Sequence, residues 1–172
     1  MKEIEVKVIE INQAEVEKKL VQLGAKKIGE YDIDALNFDT IDKKLSSKFN
    51  LLRLRKKGKN YLTFKGKAEQ GFAKIVEELE IEVSDFETTK LILEKLGFLA
   101  KKTHPKHRVT YKLNNSLIEI DDYFIIPVFL EIESPNEKEL KEIIELFGFE
   151  EDKIKSWNGF DLFKHYNLEL EG

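Results

Sequence analysis

Carboxylates recur in this chain at alternate positions: Glu3 and Glu5 in "EIEVKV", Glu78, Glu80 and Glu82 in "EELEIEV", Glu131 and Glu133 in "FLEIE". Basic residues do the same, with Arg53 and Arg55 in "NLLRLRKK", Lys65 and Lys67 in "NYLTFKGK", and Lys106 and Arg108 in "KHRVTYKL". Alternation is the period of a β-strand, whose successive side chains leave on opposite faces, so each stretch gathers its ionic residues on one side. The other side is apolar, as with Ile4, Val6 and Val8, or Leu52 and Leu54, or Ile118 and Ile120 behind Glu119 and Asp121. Gathered carboxylates suit hard divalent cations such as Mg²⁺ or Mn²⁺, which take oxygen ligands. Arginine and lysine donate to phosphate oxygens, arginine in bidentate fashion. Acids for a metal beside bases for phosphate describe a metal-polyphosphate site.

The elements that must hold these residues follow a repeated grammar. Three times a strand carrying Glu-x-Glu leads into a helix: "EIEVKVIEINQAEVEKKLVQLG", "EELEIEVSDFETTKLILEKLG" and "FLEIESPNEKELKEIIELFG". The expected N-caps are Asn12, Ser84 and Ser134, with Glu15, Glu87 and Glu137 three residues on, and Pro135 at a first helical position; Gly24, Gly97 and Gly148 mark the ends. Further strands are expected at roughly Lys26 to Asp39, Asn50 to Lys57, Asn60 to Lys67, Phe98 to Thr103, Lys106 to Leu113 and Ser116 to Tyr123. "KKGKN" and "LNNS" read as hairpin turns, "GKAEQGFAK" as a mobile loop, and "KIKSWNGFDLFKHY" as a final helical region.

Any one such strand matches an antiparallel strand with its charged face in water. Together they do not, because exposed faces usually mix in Thr, Ser, Gln and Asn, whereas here Arg, Lys and Glu hold the alternate sites. A closed barrel turns the apolar faces outward under the helices and the ionic faces inward. Ionised groups in a confined space must be paired or bound to ions.

A chain of 172 residues, 41% hydrophobic and 36% charged, fits one domain spanning residues 1–172. No long uncharged apolar run points to a membrane span or signal segment, so a cytoplasmic protein without a membrane partner is expected. The absence of cysteine excludes disulfides, thiolate metal sites and cysteine catalysis. A net charge of -4 argues against nucleic-acid binding driven by overall charge. His104, His107 and His165 form no ligand cluster; His107 has the opposite parity to Lys106 and Arg108 and is expected on the outer surface. Trp157, Phe160 and Phe163 are expected to pack a helix over the barrel, and Tyr123 to Ile126 is a candidate homodimer contact or closing lid.

In order along the chain, "ExExK" (Glu3, Glu5, Lys7), "NFDT", "LRLR", "LTFK", "EELEIEV", "KHR", "EIDDY", "FLEIE" and "SWNGFDL" resemble the CYTH domains, or triphosphate tunnel metalloenzymes. That family includes class IV adenylate cyclases, thiamine triphosphatases and inorganic tripolyphosphatases, and the resemblance runs over nearly the whole chain. It implies an α+β fold: a closed eight-stranded antiparallel barrel with helices outside, its bore binding a triphosphate. By the same resemblance Glu3, Glu5, Asp121, Glu131 and Glu133 hold Mg²⁺ or Mn²⁺. Lys7, Arg53, Arg55, Lys65, Lys106 and Arg108 hold phosphates, and Glu78 and Glu80 orient these bases. Lys7, Arg55 and Asp121 are the implied catalytic residues. The implied substrate is ATP, tripolyphosphate or thiamine triphosphate. Chain length and layout are similar to the cyclase branch, in which ATP gives cyclic AMP and pyrophosphate; phosphohydrolysis and non-catalytic polyphosphate or nucleotide binding are the alternatives. The chain departs from the family pattern at "DDYFIIPVF", where a Gly-containing bend is usual, and before the middle acidic strand, where Lys74 is the nearest candidate for an expected base.

Overall fold

The computed structural model describes residues 2–171. Strand β1 (Lys2–Val8) is followed by helix α1 (Gln13–Gln22), the long strand β2 (Lys26–Thr40), and the hairpin of β3 (Leu51–Lys57) and β4 (Lys59–Lys65). A two-residue strand β5 (Glu69–Gln70) precedes β6 (Lys74–Val83), α2 (Phe86–Lys95) and β7 (Phe98–Lys102). The chain continues through β8 (Lys106–Leu113), β9 (Ser116–Asp122), β10 (Phe129–Glu133), α3 (Glu137–Phe147), β11 (Ile154–Lys155) and α4 (Gly159–His165).

Pairing runs β1-β10-β9-β8-β2-β3-β4-β6 and then returns from β6 to β1, giving a closed barrel of eight antiparallel strands. The last link, Glu3 opposite Val76 and Glu5 opposite Lys74, leaves the ring without an edge. Strands β5, β7 and β11 are short additions outside it, on β6, β2 and β1.

Hydrocarbon faces outward, under the helices. Val6, Val8, Ile118, Ile120, Leu130 and Ile132 form one layer with Val16 and Leu20 of α1 and Leu140, Ile143 and Ile144 of α3. On another side Phe38 and Leu54 meet Phe86 and Leu93 of α2. Leu162 and Phe163 of α4 pack on Ile9, Ile126 and Phe129, with Trp157 against the same cluster, while Phe160 is exposed. Leu20 and Leu140 have no exposed surface, so truncating either to Ala would cost roughly 2–5 kcal/mol. His107 lies outside, with Asp32 at 2.8 Å and Glu30 at 3.1 Å; the Asp32 contact, reinforced by Glu30, raises its pKa.

The helix starts differ in detail from the expected ones. Asn12 caps α1 as expected, accepting from the Glu15 N–H at 3.3 Å. Helix α2 is capped by Asp85 rather than Ser84, and α3 by Asn136 rather than Ser134. Ser134 is instead buried, its hydroxyl 2.7 Å from that of Ser116. Pro135 consequently stands before the cap. Gly24, Gly97 and Gly148 follow or close their helices at φ of +72°, +92° and +71°, the left-handed turn that glycine adopts without strain. The expected loop "GKAEQGFAK" holds β5 and delivers Lys74 into β6, and the expected final helical region splits into β11 and α4.

Candidate functional site

Parity places the ionic residues in the bore. Strand β1 contributes Glu3, Glu5 and Lys7, all buried, and the neighbouring β10 sets Glu133 opposite Glu5 and Glu131 opposite Lys7. Strand β9 adds Glu119 opposite Glu131 and Asp121 opposite Arg108 of β8, where Lys106 shares the face. Across the barrel β3 supplies Arg53 and Arg55, β4 Thr63 and Lys65, and β6 Lys74, Glu78 and Glu80. Each direct pair on a shared face brings Cβ atoms to about 4.5–5.5 Å, so register alone assembles the cluster.

Most of these charges neutralise one another. Arg108 donates through Nε to Asp121 Oδ1 at 2.5 Å and through its Nη atoms to Asp121, Glu119 and Glu131. Lys106 reaches Asp121 Oδ2 at 2.5 Å, and Lys7 bridges Glu5 at 2.9 Å and Glu131 at 2.8 Å. Lys65 joins Glu3 at 2.6 Å and Glu78 at 3.0 Å, and Lys74 joins Glu5 at 2.6 Å and Glu3 at 3.3 Å. Arg55 donates to Glu80 Oε2 at 2.8 Å, and the Thr63 hydroxyl donates to that same oxygen at 2.6 Å.

The electrostatics follow the packing. Burial alone would raise Glu131, but Lys7, Arg108 and Lys106 outweigh it and hold the carboxylate well below its ordinary range. Burial works against the charge on Lys7 as well, and Glu131 with Glu5 overcomes it, keeping the ammonium protonated. At Lys106 burial, reinforced by Arg108, wins over Asp121 and Glu131, and the pKa falls.

Two side chains stand outside this neutralisation. Among the described residues no acidic group pairs with Arg53, and its buried Nε has no hydrogen-bond acceptor; Nε of Arg55 is likewise unsatisfied. Among the described residues Glu133 forms no ion pair; burial first, then Glu3, Glu119 and Glu5, outweigh the nearby Lys65 and push its pKa up to about 7. Among the described residues neither the guanidinium nor the carboxylate is held in an ion pair.

Among the described residues no three acidic or histidine side chains stand close enough together to hold a metal ion in their present pairings. The donor chemistry nevertheless fits a hard divalent cation. Glu3, Glu5, Glu131 and Glu133 are oxygen donors on two adjacent strands, and the repulsion that lifts Glu133 is what such a cation relieves. Asp121, also in the expected metal set, is the most heavily engaged, between Arg108 and Lys106 with no exposed surface.

The bore also holds Lys57 and Glu119, for which the sequence gives no role, and Lys74, the candidate base expected before the middle acidic strand. Lys57 reaches Glu119 Oε1 at 3.2 Å, and Lys57 shares the parity of Arg53 and Arg55, a signal that was present. Lys74 shares the parity of Glu78 and Glu80. Glu119 was aligned with Asp121 but given no role, and here it receives Arg108 and Lys57.

The chain is similar along its full length to known proteins. A protein of Methanocaldococcus jannaschii named "Putative adenylate cyclase MJ0240" is 31% identical over 182 aligned positions, covering 100% of this chain and 99% of its own. The PH1012 protein of Pyrococcus horikoshii superposes with a TM-score of 0.77 at 29% identity, covering 91% of this chain and 96% of that one. HpAC1 from Hippeastrum, described as having a dominant triphosphatase activity, shares the fold with a TM-score of 0.73 at 19% identity, covering 95% of this chain and 96% of its own. The family model of the CYTH domain matches residues 1–156, which hold every barrel strand and every bore residue described above, and the chain therefore belongs to the CYTH family.

Proposed function

We propose that this protein is a divalent-metal-dependent enzyme acting on a triphosphate-bearing small molecule held in the bore, with the chemistry of a class IV adenylate cyclase. The observation that carries the reading is the sealed ring in which, among the described residues, neither Arg53 nor Glu133 forms an ion pair. A triphosphate with its metal supplies an ionic partner to both. Arg53 and Arg55 receive phosphate oxygens through guanidinium nitrogens that now lack acceptors, while Lys7, Lys65, Lys106 and Arg108 add positive charge around the same chain of phosphates. Glu78 and Glu80 hold Lys65 and Arg55 in place. Glu3, Glu5, Asp121, Glu131 and Glu133 would hold Mg²⁺ or Mn²⁺, which supplies charge neutralisation and a lowered pKa for the attacking hydroxyl.

In the cyclase reaction the ribose 3′-oxygen bonds to the α-phosphorus, the bond from that phosphorus to the bridging oxygen breaks, and pyrophosphate leaves with that electron pair. The 3′-hydroxyl proton passes to solvent. Lys7, Arg55, Lys106 and Arg108 stabilise the charge that builds on the leaving pyrophosphate, and enclosure by the barrel keeps competing water away. The 31%-identical relative named as an adenylate cyclase supports this branch. The triphosphatase description of HpAC1 supports the second reading, in which water attacks the terminal phosphorus, the bond from that phosphorus to the bridging oxygen breaks, the diphosphate remainder leaves with the electron pair, and the attacked phosphoryl group becomes orthophosphate. We place the enzyme in the cytoplasm, as one domain over residues 1–172; no helix of the described residues is long and apolar enough to cross a membrane.

Incubation with ATP, tripolyphosphate and thiamine triphosphate, each with Mg²⁺ or Mn²⁺, separates the readings. Cyclic AMP with pyrophosphate is the expected outcome, and orthophosphate from any of the three supports the hydrolase. Binding with no turnover leaves a polyphosphate or nucleotide sensor, and no binding of any of them removes the proposal.

A further inference from the structure

One end of the bore opens into a cavity of about 230 Å³ in which aromatic and aliphatic side chains join the ionic lining. Tyr31 of β2 and Tyr61 of β4 line it, with Ile28 and Leu117 beside them, and its charged lining is two ion pairs, Arg55 with Glu80 at 2.8 Å and Lys57 with Glu119 at 3.2 Å. The guanidinium of Arg55 lies 5.8 Å from the centre of the Tyr61 ring, and the ammonium of Lys57 lies 5.5 Å from that of Tyr31. The phosphate-binding side of the tunnel thus merges directly into an aromatic mouth.

The Tyr31 ring is held in a made-to-measure space. A Cβ at Gly29 would stand 2.3 Å from a ring carbon of Tyr31, and one at Gly58 would stand 3.0 Å from another. Gly29 lies at the irregularity in the β2–β8 register, and Gly58 at the β3–β4 turn with φ +69°. Any side chain at Gly29 would displace the ring. The backbone on both sides has been pared back so that Tyr31 can sit over the mouth, and Tyr31 stays half-buried, in contact with the cavity.

We infer that this mouth binds the planar organic group of the substrate, and that Tyr31 and Tyr61 make the enzyme select a nucleoside triphosphate with a neutral base over inorganic tripolyphosphate. The inference rests on the triphosphate reading of the bore and deepens it. A phosphate chain running inward along Arg55 and Arg53 leaves its organic end among the tyrosines, since alternate residues of a strand step about 6.6 Å along it. Tyrosine contacts an aromatic base of any sequence identity through its π-face. Each ring already carries one cation from β3, and the carboxylates of the cavity, Glu80 and Glu119, are engaged by those same cations, so a neutral base is favoured over the cationic thiazolium of thiamine triphosphate.

The test is calorimetric titration of the whole protein with ATP, tripolyphosphate and thiamine triphosphate in Mg²⁺, for the parent and for Tyr31→Ala, Tyr61→Ala, Tyr31→Phe and Gly29→Ala. ATP is expected to bind the parent most tightly. Tyr31→Ala and Tyr61→Ala should each weaken ATP about tenfold or more while leaving tripolyphosphate within about twofold. Tyr31→Phe should keep the parent preference, and Gly29→Ala, which moves the ring without removing it, should reproduce part of the loss. Equal losses for ATP and tripolyphosphate would mark the tyrosines as structural and overturn the inference, as would unchanged ATP affinity or a parent that prefers tripolyphosphate or thiamine triphosphate. In those cases the bore keeps its assignment as a triphosphate site. A parent that binds none of the three removes that assignment and this inference with it.

Discussion

Glu133 illustrates how a single carboxyl registers its surroundings. Its pKa is raised to about 7 against an ordinary 4.5, first by burial and then by Glu3, Glu119 and Glu5, so the fold holds a proton that the unfolded chain releases. The sign follows: Glu133 costs the fold nothing below about pH 4.5, and an increasing amount as pH climbs to about 7, above which the cost is complete. Glu133→Gln should therefore stabilise the metal-free protein by about 1–2 kcal/mol at pH 8, after allowing for its partial exposure, and by nothing at pH 4; denaturant titrations at both values check this. The same substitution should abolish metal-dependent turnover while the far-ultraviolet spectrum stays unchanged. Arginines in the bore divide in the opposite way. Arg55→Ala and Arg53→Ala should weaken triphosphate binding by about 1.5–3 kcal/mol, measured by titration. Arg53→Ala should cost far less stability than Arg108→Ala, because among the described residues Arg53 forms no ion pair and only helps Lys65 to lower Glu78. Arg108→Ala leaves Asp121, Glu119 and Glu131 short of a partner and should cost roughly 3–5 kcal/mol in the melt.

At the scale of elements, the helix caps provide a direct comparison. Asp85→Ala and Asn136→Ala should each lower stability by about 1 kcal/mol, since each side chain accepts a first-turn N–H. Ser84→Ala should change it by a few tenths at most, and parallel urea titrations decide between the neighbours. Here the sequence was ambiguous for a physical reason: "SD" and "SPN" each offer two competent caps within two residues, and only the exit direction of the preceding strand selects one. Strands were far more legible, because a two-residue period survives whatever the tertiary context; β8 runs from Lys106 to Leu113 as expected. The same period assigned the bore faces of β1, β3, β8, β9 and β10. It was silent where a strand's start was hidden. Lys74 lies at the beginning of β6, behind glycines that read as a loop; the sequence offers it as a candidate base, and its register is set only by pairing opposite Glu5. Lys57 lies at the other extreme, in a run of three basic residues whose alternation is masked by Lys56. The Tyr31 mouth is not legible in the sequence, since residues of β2, β3, β4, β6, β8 and β9 build it around a register irregularity that no local pattern announces.

The whole molecule is an apolar shell around an ionic lining, and its response to acid follows from that inversion. Glu131, Glu119, Glu78 and Asp39 all sit below their ordinary pKa values, Asp39 at about 2 because hydrogen bonds from Ser46, Leu45 and Thr40 overcome its burial. Depressed carboxylates stabilise the fold fully above the unfolded values near 4 and lose that contribution as pH falls through the folded ones. Apart from the loss that Glu133 brings between about pH 4.5 and 7, the melting temperature should hold from about pH 5 upward, and it should collapse between about pH 4 and 2, which a series of thermal melts tests. Adding Mg²⁺ and a triphosphate at a hundred times the dissociation constant should stabilise by about 2.7 kcal/mol, and chelation should reverse the gain.

Closure of the ring also has a temporal side. The strand nearest the start of the chain finds its two neighbours at residues 74–77 and 130–133, so the cylinder cannot be sealed until most of the polypeptide has left the ribosome. Until then β1 must wait with its carboxylates in water and its valines uncovered. Contacts of such long sequence separation make for slow, all-or-none folding, and a nascent chain halted before β10 is a natural client for chaperones.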